Sequence, residues 1–278
     1  MNVLINIFKS EEKIISKTVN FNMLIFIFPF IWYCYHFRLL IQSKMSSSSY
    51  NLGGMRKSYH ESHTNFTEDQ LITKEPFGQF ESWFNEARNT DGIIEANAMC
   101  IATASKSGVP SARIVLLKGF SKEGFTFYTN YNSRKGKELL ENPKASLCFY
   151  WEPLKKSVRI DGDVKKIPEK ESEEYFATRP RNSQIAAVVG CNSSKIIPNR
   201  DHLNENLNKV NRTGRKLVKP KDWQGGYIVI PNQIEFWQGQ TDRTHDRIVF
   251  RRREENEVLD PSLTKEGEDG WLIERFAP

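Results

Sequence analysis

The sequence predicts a mainly β domain with peripheral helices, built as an antiparallel barrel or sandwich. Two observations lead there. Between residues 98 and 166, five short segments rich in β-branched and aromatic residues follow one another, separated by Gly, Pro, Ser and Asn turn residues. The strand–helix alternation of a parallel sheet is missing, and so is any Gly-rich phosphate loop of the GxGxxG or Walker kind. A Rossmann-type dinucleotide fold is thereby disfavoured.

Taken in order, residues 45–75 are polar, contain Gly53-Gly54 and read as a flexible arm. Pro76 opens a helix in which Phe77, Phe80, Trp83 and Phe84 recur at three- and four-residue spacing, forming one apolar stripe. The period then changes to that of strands: Ala98–Ser105, Ala112–Phe120, Gly124–Asn130, Ala145–Trp151 and Ser157–Lys166. A short helix, Arg134–Glu141, interrupts them and is ended by Asn142-Pro143. After Pro168 a charged helix runs to Thr178, and Ser183–Val189 reads as a second. Residues 192–222 are Lys/Asn-rich and read as a helix with loops. Strands return at Tyr227–Ile230, Gln233–Gln238, Ile248–Arg252 and Trp271–Arg275. The expected division is a hydrophobic extension over 1–44, an arm over 45–75 and a folded domain over 76–278.

The 278 residues suffice for one large domain or two small ones, and 38% hydrophobic with 27% charged residues is an ordinary soluble composition. The net charge of +6 invites a nucleic-acid reading, but five Lys/Arg and two Asp/Glu fall in residues 1–44. Residues 45–278 then hold 35 basic and 32 acidic side chains, which suits local anion pockets rather than a nucleic-acid footprint. Cys34, Cys100, Cys148 and Cys191 form no CxxC pair, and His60 and His63 lack the i, i+4 spacing of a helical zinc pair, so neither a disulfide framework nor a metal is expected. From Thr18 to Phe37 no charged residue occurs, a length that suits a membrane span. Pro29 interrupts it, no small-residue cleavage site follows, and Met45 opens Met-Ser-Ser-Ser-Ser as an in-frame initiator. Upstream extension, signal anchor and targeting segment stay open for residues 1–44. A cytoplasmic enzyme is expected, membrane-bound only if those residues are retained.

Chemistry concentrates in the stretch from Ile234 to Arg247, which mixes aromatic, amide, imidazole and guanidinium groups. If it is extended, Arg243, His245 and Arg247 share one face while Thr244 and Asp246 point away. Such a cationic wall with a titratable ring suits an anionic ligand and proton chemistry. Tyr175, Arg179 and Ser183 lie four apart, with Pro180 ending one helix at Arg179 and leaving Ser183 near the start of the next, a site suited to phosphate. Arg113 and Lys118 lie five apart on an apolar strand, hence on opposite faces if it is regular. Ser133-Arg134-Lys135-Gly136-Lys137 at a helix start offers a further anion site.

Together these residues resemble the pyridoxine (pyridoxamine) 5′-phosphate oxidase family. The resemblance runs from about Met55 to Pro278 and rests on Met55–Tyr59, Glu95–Met99, Leu116–Phe120, Ser133–Lys137, Phe149–Pro153 and Trp237–Arg247. It implies an FMN-binding split barrel working as a homodimer, with flavin at the subunit interface. The implied reaction oxidises pyridoxine 5′-phosphate and pyridoxamine 5′-phosphate to pyridoxal 5′-phosphate, with hydride transfer to FMN and reoxidation by O2 giving H2O2.

The resemblance implies FMN contacts at Arg113, Ile114, Val115, Leu116, Tyr128, Thr129, Arg134, Lys135, Trp237 and Arg247, joined by Ser157, Asn192 and Ser193. It implies a substrate-phosphate grip from Lys118, Tyr175, Arg179 and Ser183. Arg243 and His245 match the pair flanking the substrate ring and reacting carbon, with Thr244 between them, and Arg56, Lys57, Ser58 and Tyr59 match an arm that closes over it. Ser157 and Asn192 stand where the family usually has Gln, and Thr244 where it usually has an aliphatic residue; the first two bear on flavin affinity, the third on packing. A split-barrel flavoprotein of other specificity and a non-catalytic pyridoxal 5′-phosphate carrier are the competing expectations.

Overall fold

The computed structural model describes residues 52–55, 65–190, 193–212, 217, 219 and 224–278. Two units, Met1–Lys57 and Ser58–Pro278, divide the chain; of the first, only the turn at 52–55 is described, and residues 1–44 lie outside the described ones. Among the described residues no helix is long and apolar enough to cross a membrane.

The second unit is one antiparallel sheet flanked by helices. Its strands are β1 (Ala98–Ala104), β2 (Pro110–Leu116), β3 (Gly119–Ser121), β4 (Gly124–Asn130), β5 (Lys144–Trp151), β6 (Lys156–Lys166), β7 (Gln224–Gln238), β8 (Asp246–Arg252), β9 (Thr264–Glu266) and β10 (Trp271–Arg275). They run in the order β2-β1-β5-β6-β7-β8-β10-β9, with β4 on β7 and β3 on β4. The helices are α1 (Pro76–Arg88), α2 (Arg134–Glu141), α3 (Glu169–Thr178), α4 (Arg181–Val189) and α5 (Arg200–Arg212).

Strand β7 splits the sheet. One edge pairs with β6 along its length, while the other takes β4 over 224–229 and β8 over 233–238. Two separate strands are expected here, and the structure merges them. Pro231 has no N–H for the ladder, and β7 absorbs the interruption as a bulge: Asp161 faces Gln233 and Gly162 faces Pro231, leaving Asn232 as the extra residue. Gly162 faces Pro231, and a Cβ there would lie 2.2 Å from the Ile230 carbonyl oxygen. Only glycine allows that approach.

The expected strand Ala112–Phe120 is instead two, β2 and β3. At the break the Leu117 N–H donates to the Asn97 carbonyl and the Lys118 N–H to the Thr126 carbonyl, each at 2.8 Å. The chain changes partner strand there, so side-chain parity is not carried across from Arg113 to Lys118.

Helix α1 closes the core as its stripe predicts. Pro76 sits in its first turn, and the Glu75 carboxylate caps it by accepting from the N–H groups of Phe77 and Gly78. Phe80 is fully buried, edge-on to Phe125 at 5.0 Å, Phe149 at 5.3 Å and Phe120 at 4.9 Å. Burying such a ring contributes roughly 1.5–3 kcal/mol. The short polar β9 was not anticipated; its three residues carry no apolar alternation.

Candidate active site

The expected substrate-phosphate residues meet in one cleft. It has a volume of about 480 Å³ and is lined by Val115, Leu116, Lys118, Tyr128, Tyr175, Arg179, Pro180 and Ser183. Arg179 ends α3 in an extended conformation and Pro180 stands at the N-cap of α4, which begins at Arg181, two residues before the expected Ser183. The Ser183 N–H is spent on the Pro180 carbonyl at 2.8 Å, so Ser183 has its hydroxyl rather than its amide to offer. Tyr128 and Tyr175 stack at 3.7 Å, and the Arg179 guanidinium lies 5.9 Å from the Tyr175 ring. Burial raises both phenols above the ordinary tyrosine range, with Arg179 opposing it at Tyr175. They are therefore neutral hydrogen-bond donors at neutral pH, which suits anionic oxygens.

A second group gathers at the start of α2. Ser133 Oγ accepts from the Gly136 N–H and caps the helix. A Cβ at Gly136 would lie 2.2 Å from the Tyr131 carbonyl oxygen, so glycine lets the first turn sit against that loop. Arg113 donates to Thr103 Oγ1 at 2.6 Å and to Ser111 Oγ; both hydroxyls donate onward to Glu138 Oε2 at 2.5 Å. Arg134 Nε reaches Glu138 Oε1 at 2.8 Å, and Lys135 Nζ reaches Thr129 Oγ1 at 3.1 Å. Burial works to raise the Glu138 carboxyl, but hydrogen bonds from Ser111, Thr103 and Arg134 outweigh it and bring the pKa to about 2. Burial and then the Arg113 charge hold the Lys135 ammonium below its usual range. Positive charge is thus in excess even with Glu138 present, the electrostatic signature of an anion site. Ser194 Oγ accepts from the Arg134 N–H at 3.2 Å, which brings the segment after α4, Ser193 included, to the same helix end.

The third group lies along one rung of the sheet. Ser157, Trp237 and Arg247 are successive partners across β6, β7 and β8. Glu235 holds Arg247 by two hydrogen bonds, at 2.9 and 3.0 Å, and the Ala277 carbonyl takes a third at 2.7 Å. Ile114 is 68% exposed on β2, and Ser157 is half-buried.

The stretch bearing Arg243, Thr244 and His245 is not an extended strand. β7 ends at Gln238 and β8 starts at Asp246, because these neighbours are antiparallel and the chain must reverse between them. Arg243 has φ of +72°, in the left-handed region. Thr244 does not pack on an opposite strand face; it closes the turn by donating its N–H and Oγ1 to Asp242 Oδ1 at 2.9 and 2.6 Å. His245 lies 4.8 Å from the Trp237 ring, and its Nδ1 accepts from the Gln240 N–H at 2.9 Å. The neutral ring therefore carries its hydrogen on Nε2. Buried Asp246 anchors the turn, accepting from Gln240 Nε2 at 2.7 Å, the Phe66 N–H at 3.0 Å and Arg275 at 2.8 Å. Thr244 and His245 line a separate cavity of about 420 Å³ with the C-terminal residues 275–278. That cavity shares no lining residue with the first cleft. Arg56, Lys57, Ser58, Tyr59 and Asn192 lie outside the described residues.

Residues 86–213 match the family model described as pyridoxamine 5′-phosphate oxidase, and 223–278 the one described as the pyridoxine 5′-phosphate oxidase C-terminal dimerisation region. The chain belongs to the pyridoxine/pyridoxamine 5′-phosphate oxidase family. It is similar to the pyridoxine/pyridoxamine 5′-phosphate oxidase of Bombyx mori, 52% identical over 83% of this chain and 90% of the relative. Against the pyridoxine-5′-phosphate oxidase of Bos taurus it is 53% identical over 82% of this chain and 88% of that one. Family membership makes the chain an oxidoreductase of vitamin B6 metabolism. The split-barrel fold is shared with PhzG of Burkholderia lata 383, solved with tetrahydrophenazine-1-carboxylic acid, at TM-score 0.67 and 24% identity, covering 79% of this chain and all of that one. An FMN-binding protein of Nostoc punctiforme related to pyridoxamine 5′-phosphate oxidase aligns at TM-score 0.54 and 14% identity over 77% of this chain and 100% of its own.

Sequence reasoning passed over Glu138, Glu235, Gln240 and Asp246. Glu138 had one signal, its i, i+4 spacing from Arg134. The other three act through contacts between strands or across a turn, which no local pattern announces.

Proposed function

We propose that the chain oxidises pyridoxine 5′-phosphate and pyridoxamine 5′-phosphate to pyridoxal 5′-phosphate with FMN as cofactor. The observation that carries this reading is the single cleft in which Lys118, Tyr175, Arg179 and Ser183 meet Val115, Leu116 and Tyr128. These are the residues expected for substrate phosphate and for flavin, and they converge from β2, β4, α3, α4 and the link between β2 and β3. The excess positive charge around Arg113 and Lys135 at a helix start fits the FMN phosphate. Arg134, Thr129 and Ser193 adjoin it, and the Ser157–Trp237–Arg247 rung supplies further flavin contacts. Asn192 and the arm Arg56–Tyr59 belong to the same reading.

The chemistry FMN supplies when bound is two-electron transfer, hydride uptake from C4′ of the substrate followed by reoxidation with O2 to give H2O2. The protein's own residues bind and orient. Lys118 and Arg179 neutralise the substrate phosphate while Tyr175 and Ser183 donate hydrogen bonds to it. Arg243 and His245 flank the reacting carbon, His245 as a donor through Nε2–H because its Nδ1 is taken by the Gln240 amide. We further infer a homodimer in which the Arg243–His245 turn of one protomer completes the cleft of its partner. The separation of the two cavities within one chain and the dimerisation region over residues 223–278 support this. A cytosolic location goes with the same reading; the N-terminal mass of the native protein tests it through the fate of residues 1–44.

Purified full-length protein is expected to be yellow and to release peroxide on addition of pyridoxine 5′-phosphate. A protein that stays colourless with added FMN would overturn the proposal.

A further inference from the structure

We propose that Cys100 and Cys148 form a peroxide-driven dithiol–disulfide pair across the middle of the sheet. Cys100 on β1 and Cys148 on β5 are direct register partners. Directly opposed residues of an antiparallel pair have Cα atoms about 4.5–5.5 Å apart, inside the roughly 4.4–6.8 Å that a disulfide spans. Both side chains leave the same face. Their neighbours Met99, Ile101, Leu147 and Phe149 are buried in the core, so the alternation sends Cys100 and Cys148 to the opposite side. Cys148 is exposed, Cys100 is half-buried, and both are free thiols.

In this structure Cys148 Sγ leans toward β6, 3.7 Å from Ser157 Oγ. Rotation about χ1 to another staggered position turns it toward β1 and Cys100. The oxidant is hydrogen peroxide. Cys148 gives up its thiol proton, the thiolate attacks one peroxide oxygen, the O–O bond breaks, and the departing hydroxide takes up that proton, leaving sulfenic acid and water. The Cys100 thiol then attacks that sulfur; the S–S bond forms, the S–O bond breaks, and a second water leaves. The sulfurs together lose two electrons and peroxide gains them. The second step is intramolecular, so it outruns further oxidation of Cys148.

The pair stands on register and exposure and does not rest on the proposed oxidase activity. If that activity holds, the oxidant is also its product, and the bridge draws Cys148 off Ser157, a proposed flavin contact.

The test exposes reduced, full-length protein to a small molar excess of H2O2, alkylates the remaining thiols and maps peptides without reductant. The expected result is a peptide pair linked through Cys100 and Cys148 that dithiothreitol separates. In Cys100→Ala the same dose should carry Cys148 to sulfinic acid, because the resolving thiol is gone. Wild-type protein with Cys148 as sulfinic acid and Cys100 still alkylatable would overturn the inference. So would cross-links that run only through Cys34 or Cys191, or a Cys148 that stays reduced throughout.

Discussion

Glu138 is an acid set between Arg113 and Arg134, and its role is to accept hydroxyl and guanidinium hydrogens so that Arg113 has one orientation. Its carboxyl is depressed in the fold, so the stability it contributes is present above the unfolded value of about 4.5 and is lost as pH falls toward about 2. Glu138→Gln should therefore flatten the acid limb of a stability-versus-pH curve between those values, at a cost of about 1–3 kcal/mol at neutral pH. Urea melts at a series of pH values check both statements. Arg243 is the opposite case, a residue whose side chain is wanted where its backbone is uncomfortable. With φ at +72°, Arg243→Gly should raise the melting temperature above that of Arg243→Ala, by the equivalent of about 1 kcal/mol. Both variants should lose at least tenfold in kcat/KM with pyridoxine 5′-phosphate, since both lack the guanidinium.

At the scale of elements, the sheet depends on one long strand serving two neighbours. Gly162→Ala would push a methyl against the Ile230 carbonyl where β6 and β7 shift register. The expected loss is about 1–3 kcal/mol, read from the denaturation midpoint. Helix α1 has its stripe sunk into the aromatic core, and Phe80→Ala should cost about 3–5 kcal/mol by the same measurement. Most elements were legible because their signals are local. β4, α2 and β10 match their expected bounds, since Gly124, the Asn142-Pro143 pair and the periodicity each act within a few residues. What failed depended on distant partners. The expected gap at Pro231 closed because β6 pairs on both sides of a bulge at Asn232, and the expected strand Ala112–Phe120 broke because Lys118 pairs with β4 rather than β1.

For the whole molecule, the proposed homodimer makes a kinetic prediction. If the two halves of each site come from different protomers, Lys118→Ala and Arg243→Ala proteins should each be nearly inactive alone. Unfolded together and refolded at equal concentration, they should recover about a quarter of wild-type activity, because half the dimers are mixed and each mixed dimer has one intact site. No recovery would place both halves in one protomer.

The sequence by itself determined the fold class, the helix boundaries around Pro76 and Pro180, and which side chains the proposed chemistry would use. Those depend on period, on proline's fixed φ and on the acid–base character of residue types, all of which are local. Only the tertiary structure decided how the site is assembled. It made the Arg243–His245 stretch a turn with a left-handed arginine rather than an even cationic wall, since the chain has to reverse between two paired strands. It also put Glu138 beneath Arg113 and set the histidine tautomer through the Gln240 amide. Those outcomes come from contacts between elements, whose geometry exists only once the sheet has closed on its helices.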